Sequence, residues 1–253
     1  MDLERSLFDR LVDGGWLAPG RVAAGGWIYR HAGGVTKRAN SVLPLVADGT
    51  GTDLAESVAE AERFYAELGL RCVFSIGPGA VAGLDAELDR RGYRVADPTL
   101  IMTAAPARHA VPDGDVVAGT VTALPSERWL RTWWRVDGGR HRADGDVPAM
   151  EWARRIMTGV PAGYVHLTTD AGAAVGRGVV QEDWLGVYCM AVEPGARRRG
   201  LGRSVLRRLL AWGREHGAER AYLVVTEGNA GARALYEREG FTVTGRYHYR
   251  VAP

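Results

Sequence analysis

Apolar and polar positions along the chain follow two alternating periods. Residues 6–16 carry apolar side chains at helical spacing and end on a glycine pair, while 25–33 and 39–46 read as strands. Residues 56–69 form a predicted helix closed by Gly69, 71–77 a strand, 83–92 a helix closed by Gly92, and 93–104 a further strand. Pro106, Pro112 and the pair Asp113-Gly114 break the periodicity and mark a linker over 105–115. A second series follows: a strand over 115–124, helices over 126–136 and 148–157, and a strand pair over 162–172 and 173–183. After it come a buried strand over 184–192, a helix over 202–217, a strand over 221–228, a helix over 229–240 and final strands over 241–251.

The two series end in the same order of elements. Gly69 and Gly217 each close a long helix and lie 148 residues apart; Gly92-Tyr93 and Gly240-Phe241 keep the same offset. Self-similarity at this scale points to two copies of one supersecondary unit.

With 253 residues, 46% apolar and 25% charged, the chain is long enough for two cores, and disordered, collagen-like and disulfide-scaffold classes are excluded. A net charge of +2 gives no general affinity for nucleic acid. Lys37 is the only lysine among 32 basic residues, a bias ascribed to codon usage rather than function. Cys72 and Cys189 lie in apolar strands and read as free, buried thiols. The N-terminus lacks the apolar stretch of a signal peptide, and no run of about 18 apolar residues occurs, so a cytoplasmic protein without a membrane span is expected. The six histidines are dispersed, so no metal site is expected.

Chemistry concentrates after the strand 184–192. That strand stops at Pro194; then come Gly195, Arg197, Arg198, Arg199, Gly200, Leu201 and Gly202, and a helix with apolar Val205, Leu206, Leu209, Leu210 and Trp212. Glycines let the main chain approach an anion, and the unpaired amides and dipole of a first helical turn attract it. Seven arginines and no acid lie between Arg197 and Arg214, so the expected guest is a phosphate or pyrophosphate. A Walker loop would need a lysine, and the dinucleotide fingerprint a glycine where Val205 stands.

The pattern Arg/Gln-x-x-Gly-x-Gly/Ala at Arg197–Gly202, together with Asn229, Ala232, Leu235-Tyr236 and Gly240-Phe241 about 30 residues on, resembles the GNAT superfamily of acetyl-CoA-dependent N-acetyltransferases. The resemblance covers about 113–251. It implies an α/β (α+β) protein of two GNAT-like mixed-sheet units: a degenerate N-terminal domain at 1–105 and an N-acetyltransferase domain at 113–253. In the degenerate copy, Gly49, Thr50, Gly51, Thr52, Asp53 and Leu54 stand where Arg197 to Gly202 stand in the second, and Leu88 stands for Tyr236.

What the resemblance implies for the site is specific. Acetyl-CoA would be the co-substrate, without a metal, held by Met190, Ala191, Val192, Arg197, Arg198, Arg199, Gly200, Leu201, Gly202, Arg203, Asn229 and Tyr236. A backbone N–H near Met190 or Ala191 would stabilise the carbonyl oxygen, and Tyr236 would be the general acid. Asn229 would serve the pantetheine or cap its helix. The acceptor would be the primary amine of a small molecule, peptide or protein, with no nucleic acid and no membrane as partner and a homodimer left open. A non-catalytic acyl-CoA binder is the alternative. The glutamate base of some members falls on Gly186, which leaves Glu182, Asp183, Tyr188, His248 or a water chain. Trp129, Trp133, Trp134 and Trp152 would wall the acceptor or pack as core.

Overall fold

The structure, a computed structural model, describes residues 6–45, 53–105, 119–138 and 146–253. In chain order the elements of the first series are α1 (Leu7–Gly15), β1 (Gly20–Ala24), β2 (Trp27–His31), β3 (Val42–Leu43), α2 (Leu54–Glu67), β4 (Val73–Ile76), α3 (Leu84–Arg90) and β5 (Arg94–Ala104). The second series comprises β6 (Val121–Thr122), α4 (Glu127–Val136), α5 (Asp146–Thr158), β7 (Gly163–Thr169), β8 (Gly172–Gln181) and β9 (Trp184–Val192). It ends with α6 (Leu201–Glu215), β10 (Arg220–Thr226), α7 (Ala230–Arg238) and β11 (Thr242–Val251). The expected mixed α/β class is the one found. Of the linker expected over 105–115, residues 106–115 lie outside the described residues, as do residues 115–118 of the strand expected over 115–124 and residues 49–52.

The chain forms two compact units that do not follow a single cut. One holds Met1–Leu100, Ala143–Gly159 and Gly245–Pro253; the other holds Ile101–Arg142 and Val160–Thr244. Helix α5 and the end of β11 thus belong with the first series, and the end of β5 with the second.

In the first unit the strand order is β1-β2-β3-β4-β11. The hairpin β1–β2 turns on Gly25 and Gly26, whose φ values of 55° and 83° match the tight turn that follows the twist of paired strands. The sequence pattern showed β2 but not β1, whose residues alternate between half-buried and exposed. Trp27, Tyr29, Phe74, Tyr65, Leu84, Leu88 and Tyr93 form the core, with Trp27 and Tyr93 edge-on to Phe74 at 5.7 Å each. Asp53 caps α2 by accepting from the Ala55 N–H at 2.9 Å. On α1, the buried Asp13 accepts from Arg21 and Arg30, while Arg30 also donates to the Ser41 carbonyl.

In the second unit the order is β5-β10-β9-β8-β7-β6. Helix α6 lies against β7, β8 and β9, burying Val205, Leu206, Leu209 and Leu210 as the helical spacing required. Gly176 of β8 makes this approach possible: a Cβ there would lie 2.5 Å from Val205 Cγ1. Helix α4 packs on β8 and β9, with the Ser126 hydroxyl accepting from the Trp129 N–H as its cap.

Candidate active site

The local geometry of β9 sets up the site. Its parallel pairing with β10 runs from Trp184↔Arg220 to Val187↔Leu223 and stops there, although β9 continues to Val192 and β10 to Thr226. On its other side β9 pairs with β8 through Arg177↔Tyr188 and Val175↔Ala191, so Cys189 and Met190 together oppose the single residue Gly176. This is a bulge, with Cys189 at φ 54°. Bulges bend a strand and re-aim its backbone groups; here the bend begins where β9 leaves β10. Met190, Ala191 and Val192 therefore form a strand segment without a β10 partner. Ala191 is buried, while Met190 and Val192 are half-buried.

The segment leads through the turn Pro194–Ala196 into the arginine loop. The Arg197 N–H is satisfied by the Pro194 carbonyl, and its Nε donates to the Val192 carbonyl at 3.1 Å, fixing the loop to the strand end. The first intrahelical bond of α6 runs from Ser204 N–H to the Gly200 carbonyl, so the amides of Leu201, Gly202 and Arg203 belong to the open first turn. Gly200 is the N-cap at φ 83°, a conformation that a side chain strains. Arg197, Arg198, Arg199 and Gly200 are exposed. A glycine-lined, cationic cradle at a helix N-terminus, continuous with a strand segment that is paired to β8 but open on its β10 side, fits an extended ligand with a pyrophosphate.

Helix α7 flanks this cradle. Asn229 is its N-cap, accepting from the Ala232 N–H at 3.2 Å, and Tyr236 lies in its last turn, 6% exposed, with its ring 6.1 Å from Phe241. Burial pushes the Tyr236 phenol above its ordinary value, so it remains protonated at neutral pH. Leu235 of the same helix reaches toward Gly202, where a Cβ would sit 3.4 Å from Leu235 Cδ2 and Val192 Cγ2.

Glu239, just after α7, is a neighbour of the arginine loop that sequence reasoning missed. It is 1% exposed and accepts from Arg203 Nε at 2.5 Å and Arg207 Nε at 2.7 Å. Burial works against its charge, but the hydrogen bonds and positive charge of Arg207 and Arg203 hold its carboxyl below the usual range. Arg203 is thus tied to α7 as well as lying in the loop. The signal was the run from Arg197 to Arg214 without an acid, whose counter-charge had to come from elsewhere in the sequence.

Position 186 has no room for a carboxylate: a Cβ on Gly186 would lie 2.6 Å from Tyr188 Cε2 and from the Tyr222 hydroxyl. Both tyrosines are buried, and their hydroxyls are hydrogen-bonded to each other. Tyr222 also donates to Gln181 Oε1 at 2.9 Å. Fully buried Arg177 places its guanidinium 5.6 Å from the Tyr188 ring and 6.0 Å from the Tyr164 ring. Of the other base candidates, Glu182 is exposed at the β8–β9 turn at φ 53° and Asp183 pairs with Arg220. His248 belongs to the first unit, its Nε2 2.9 Å from Asp85 Oδ1. The tryptophans also separate. Trp129 and Trp133 are core residues at 1% and 2% exposure, and Trp129 Nε1 donates to the Val165 carbonyl at 2.9 Å. Trp134 is half-buried on the same helix, while Trp152 sits against Gly33 in the first unit.

The first unit treats its strand ends differently. β3 pairs with β4 at Val42↔Phe74, and the segment after β4 crosses back over it. Leu45 bridges Ala80, and the Val81 N–H donates to the Pro44 carbonyl at 3.2 Å. The strand ends that part in the second unit are stitched together in the first.

Among the described residues no group of three or more His, Cys, Asp or Glu could hold a metal, and no helix is long and apolar enough to cross a membrane. The chain is 29% identical to the uncharacterized N-acetyltransferase YobR of Bacillus subtilis (strain 168) over 96% of each protein. Its fold resembles a GCN5-related N-acetyltransferase from Kribbella flavida, with a TM-score of 0.65, 18% identity, and coverage of 96% of this chain and 95% of that one. It also resembles a tandem GNAT protein from the clavulanic acid biosynthesis pathway, with a TM-score of 0.64, 14% identity, and coverage of 96% and 86%. A family model described as "Probable histone acetyltransferase Rv0428c C-terminal" matches residues 13–250, nearly the whole chain, and the protein belongs to this acetyltransferase family.

Proposed function

We propose that this acyltransferase moves an acetyl group from acetyl-CoA to a primary amine by direct attack within a ternary complex, using one site in the C-terminal copy. The carrying observation is the parting of β9 from β10 after Val187↔Leu223, with the bulge at Cys189-Met190 and the Arg197–Gly202 cradle at its end. Acetyl-CoA supplies the activated acetyl thioester. The loop amides and arginines hold its pyrophosphate, each charge-assisted contact contributing about 1.5–3 kcal/mol. Met190, Ala191 and Val192 hydrogen-bond the pantetheine as an added strand would. The main-chain N–H near Met190 donates to the carbonyl oxygen as negative charge develops there.

Tyr236 donates to the departing sulfur. Its raised proton affinity favours a strong hydrogen bond, with the proton following late, since full early transfer to a thiolate of pKa about 8.5 would run uphill. Asn229 keeps α7 in place through its cap and offers its amide toward the same ligand. The domain at 1–105 is the degenerate copy and that at 113–253 carries the chemistry, in a cytoplasmic protein.

The acceptor class is open to direct measurement. Release of free thiol from acetyl-CoA should depend on an added primary amine when polyamines, aminoglycosides, amino acids, peptide N-termini and protein lysines are compared. The family description, with its reference to histones, puts lysine-bearing peptides first in that series. Thiol release that no amine accelerates would overturn the reading.

A further inference from the structure

An amine that attacks a thioester must lose a proton, and at neutral pH a lysine-type amine, with a pKa of about 10.4, arrives protonated. Position 186 cannot supply a carboxylate, because two tyrosines already fill the space above it. What they build there is a directed chain. Tyr222 has one hydroxyl hydrogen and gives it to Gln181 Oε1 at 2.9 Å. The bond between the two hydroxyls must therefore run from Tyr188 to Tyr222. Tyr188 thus turns oxygen lone pairs, not its hydrogen, away from the chain. Its residue stands at the apex of the site, the first after the last β9–β10 pair and the one before the bulge. The other end, Gln181, is half-buried beside the β8–β9 turn, whose Glu182 is exposed.

We propose that Tyr188, Tyr222 and Gln181 form the path by which the acceptor amine sheds its proton to solvent. This rests on the acetyl-transfer reading above. The amine nitrogen gives its proton to Tyr188 Oη, the hydrogen of Tyr188 passes to Tyr222 Oη, that of Tyr222 passes to Gln181 Oε1, and the Gln181 amide, as its imidic tautomer, releases a proton from nitrogen to a solvent water before reverting. Each tyrosine ends with one proton, and rotation of the two hydroxyls resets the chain. The charged and titratable groups around Tyr188 include Arg177 on β8, Tyr164 on β7, Cys189 beside it and Tyr222 opposite; Trp129 and Trp133, the buried aromatics of α4, carry no charge. The Arg177 cation disfavours a second positive charge nearby, so it favours the amine in its neutral form.

The test compares wild type, Tyr188→Phe and Tyr222→Phe with the best amine at pH 7 and pH 9.5. Each variant should lose at least about tenfold in kcat/KM at pH 7 and recover most of it at pH 9.5, where the amine itself supplies more neutral form. Acetyl-CoA affinity and the melting temperature should stay near wild type. A loss equal at both pH values, or no loss, overturns the relay while leaving acetyl transfer intact. The wild-type enzyme alone gives a second readout: rates in mixtures of light and heavy water should curve with deuterium content, as more than one moving proton requires. A straight line would overturn the chain even if both variants failed to fold. Absence of turnover with any amine would remove the parent reading, and the relay with it.

Discussion

Gly200 and Gly202 serve the same loop for different physical reasons, and substitutions separate them. At Gly200 nothing stands within 4 Å of a prospective Cβ, but φ is 83°, so Gly200→Val costs about 1–2 kcal/mol of backbone strain in the cradle itself. At Gly202 the backbone is helical and a Cβ would meet its neighbours at 3.4 Å, an ordinary contact. A ligand at a hundred times its Kd stabilises a protein by about 2.7 kcal/mol, or roughly 5–10 °C for a chain of this size. Acetyl-CoA should raise the melting temperature by that order in wild type and in Gly202→Ala, but not in Gly200→Val; an unchanged shift in the last would remove the loop from coenzyme binding. Tyr236 is tested by rate rather than affinity. Tyr236→Phe should lower kcat at least tenfold with little change in acetyl-CoA binding, and equal activity would exclude it. Because burial raises its proton affinity, ionisation of Tyr236 should put no alkaline limb on kcat below about pH 10.

At the scale of elements, α1 is fixed by an acid in an unfavourable setting. Asp9 is buried and accepts from the Gly79 N–H at 2.8 Å, and burial lifts its pKa to about 6. Its folded value lies above that of the unfolded chain, near 3.9, so the folded state binds the extra proton and stability rises as pH falls from about 6 toward 4. Asp9→Asn keeps an acceptor for Gly79 without the buried charge. It should therefore melt higher than wild type at pH 8, with the gap closing by about pH 4; a gap independent of pH would show that charge is not the cause.

Helix α1 was legible from its apolar spacing and its glycine stop, as were α2, α3, α6 and α7, because a single amphipathic helix records its own period. The cradle was legible because a helix N-terminus, glycines and arginines are all local. Partnership between distant segments was not. The 148-residue offset aligns helices well, but Val42↔Phe74 and Gly186↔Tyr222 show that the first series has four fewer residues between its paired strand positions. Nor could spacing reveal that α5 joins the first unit, or that Glu239 answers Arg203 and Arg207.

For the whole molecule, the repeat does not make two equivalent halves. Strand β11 of the second series pairs with β4 through His248↔Ile76 to Val251↔Val73, while β5 of the first series stands next to β10. The closing strand of each series thus lies in the other's sheet order, and coenzyme binding has to be measured on the full chain, since a fragment from 113 onward would lack β5. The two copies also differ where a pantetheine would enter. In the second, β9 and β10 part after four pairs and leave Met190 to Val192 available. In the first, the Leu45↔Ala80 bridge and the bond from Val81 to Pro44 close the corresponding strand ends. An added strand needs open backbone donors and acceptors, so the first copy could accept one only by breaking these bonds. Calorimetric titration with acetyl-CoA should therefore saturate at one per chain. Gly200→Val should reduce that single event to none, whereas a second event surviving in the variant would place a coenzyme in the N-terminal copy and overturn its assignment as degenerate.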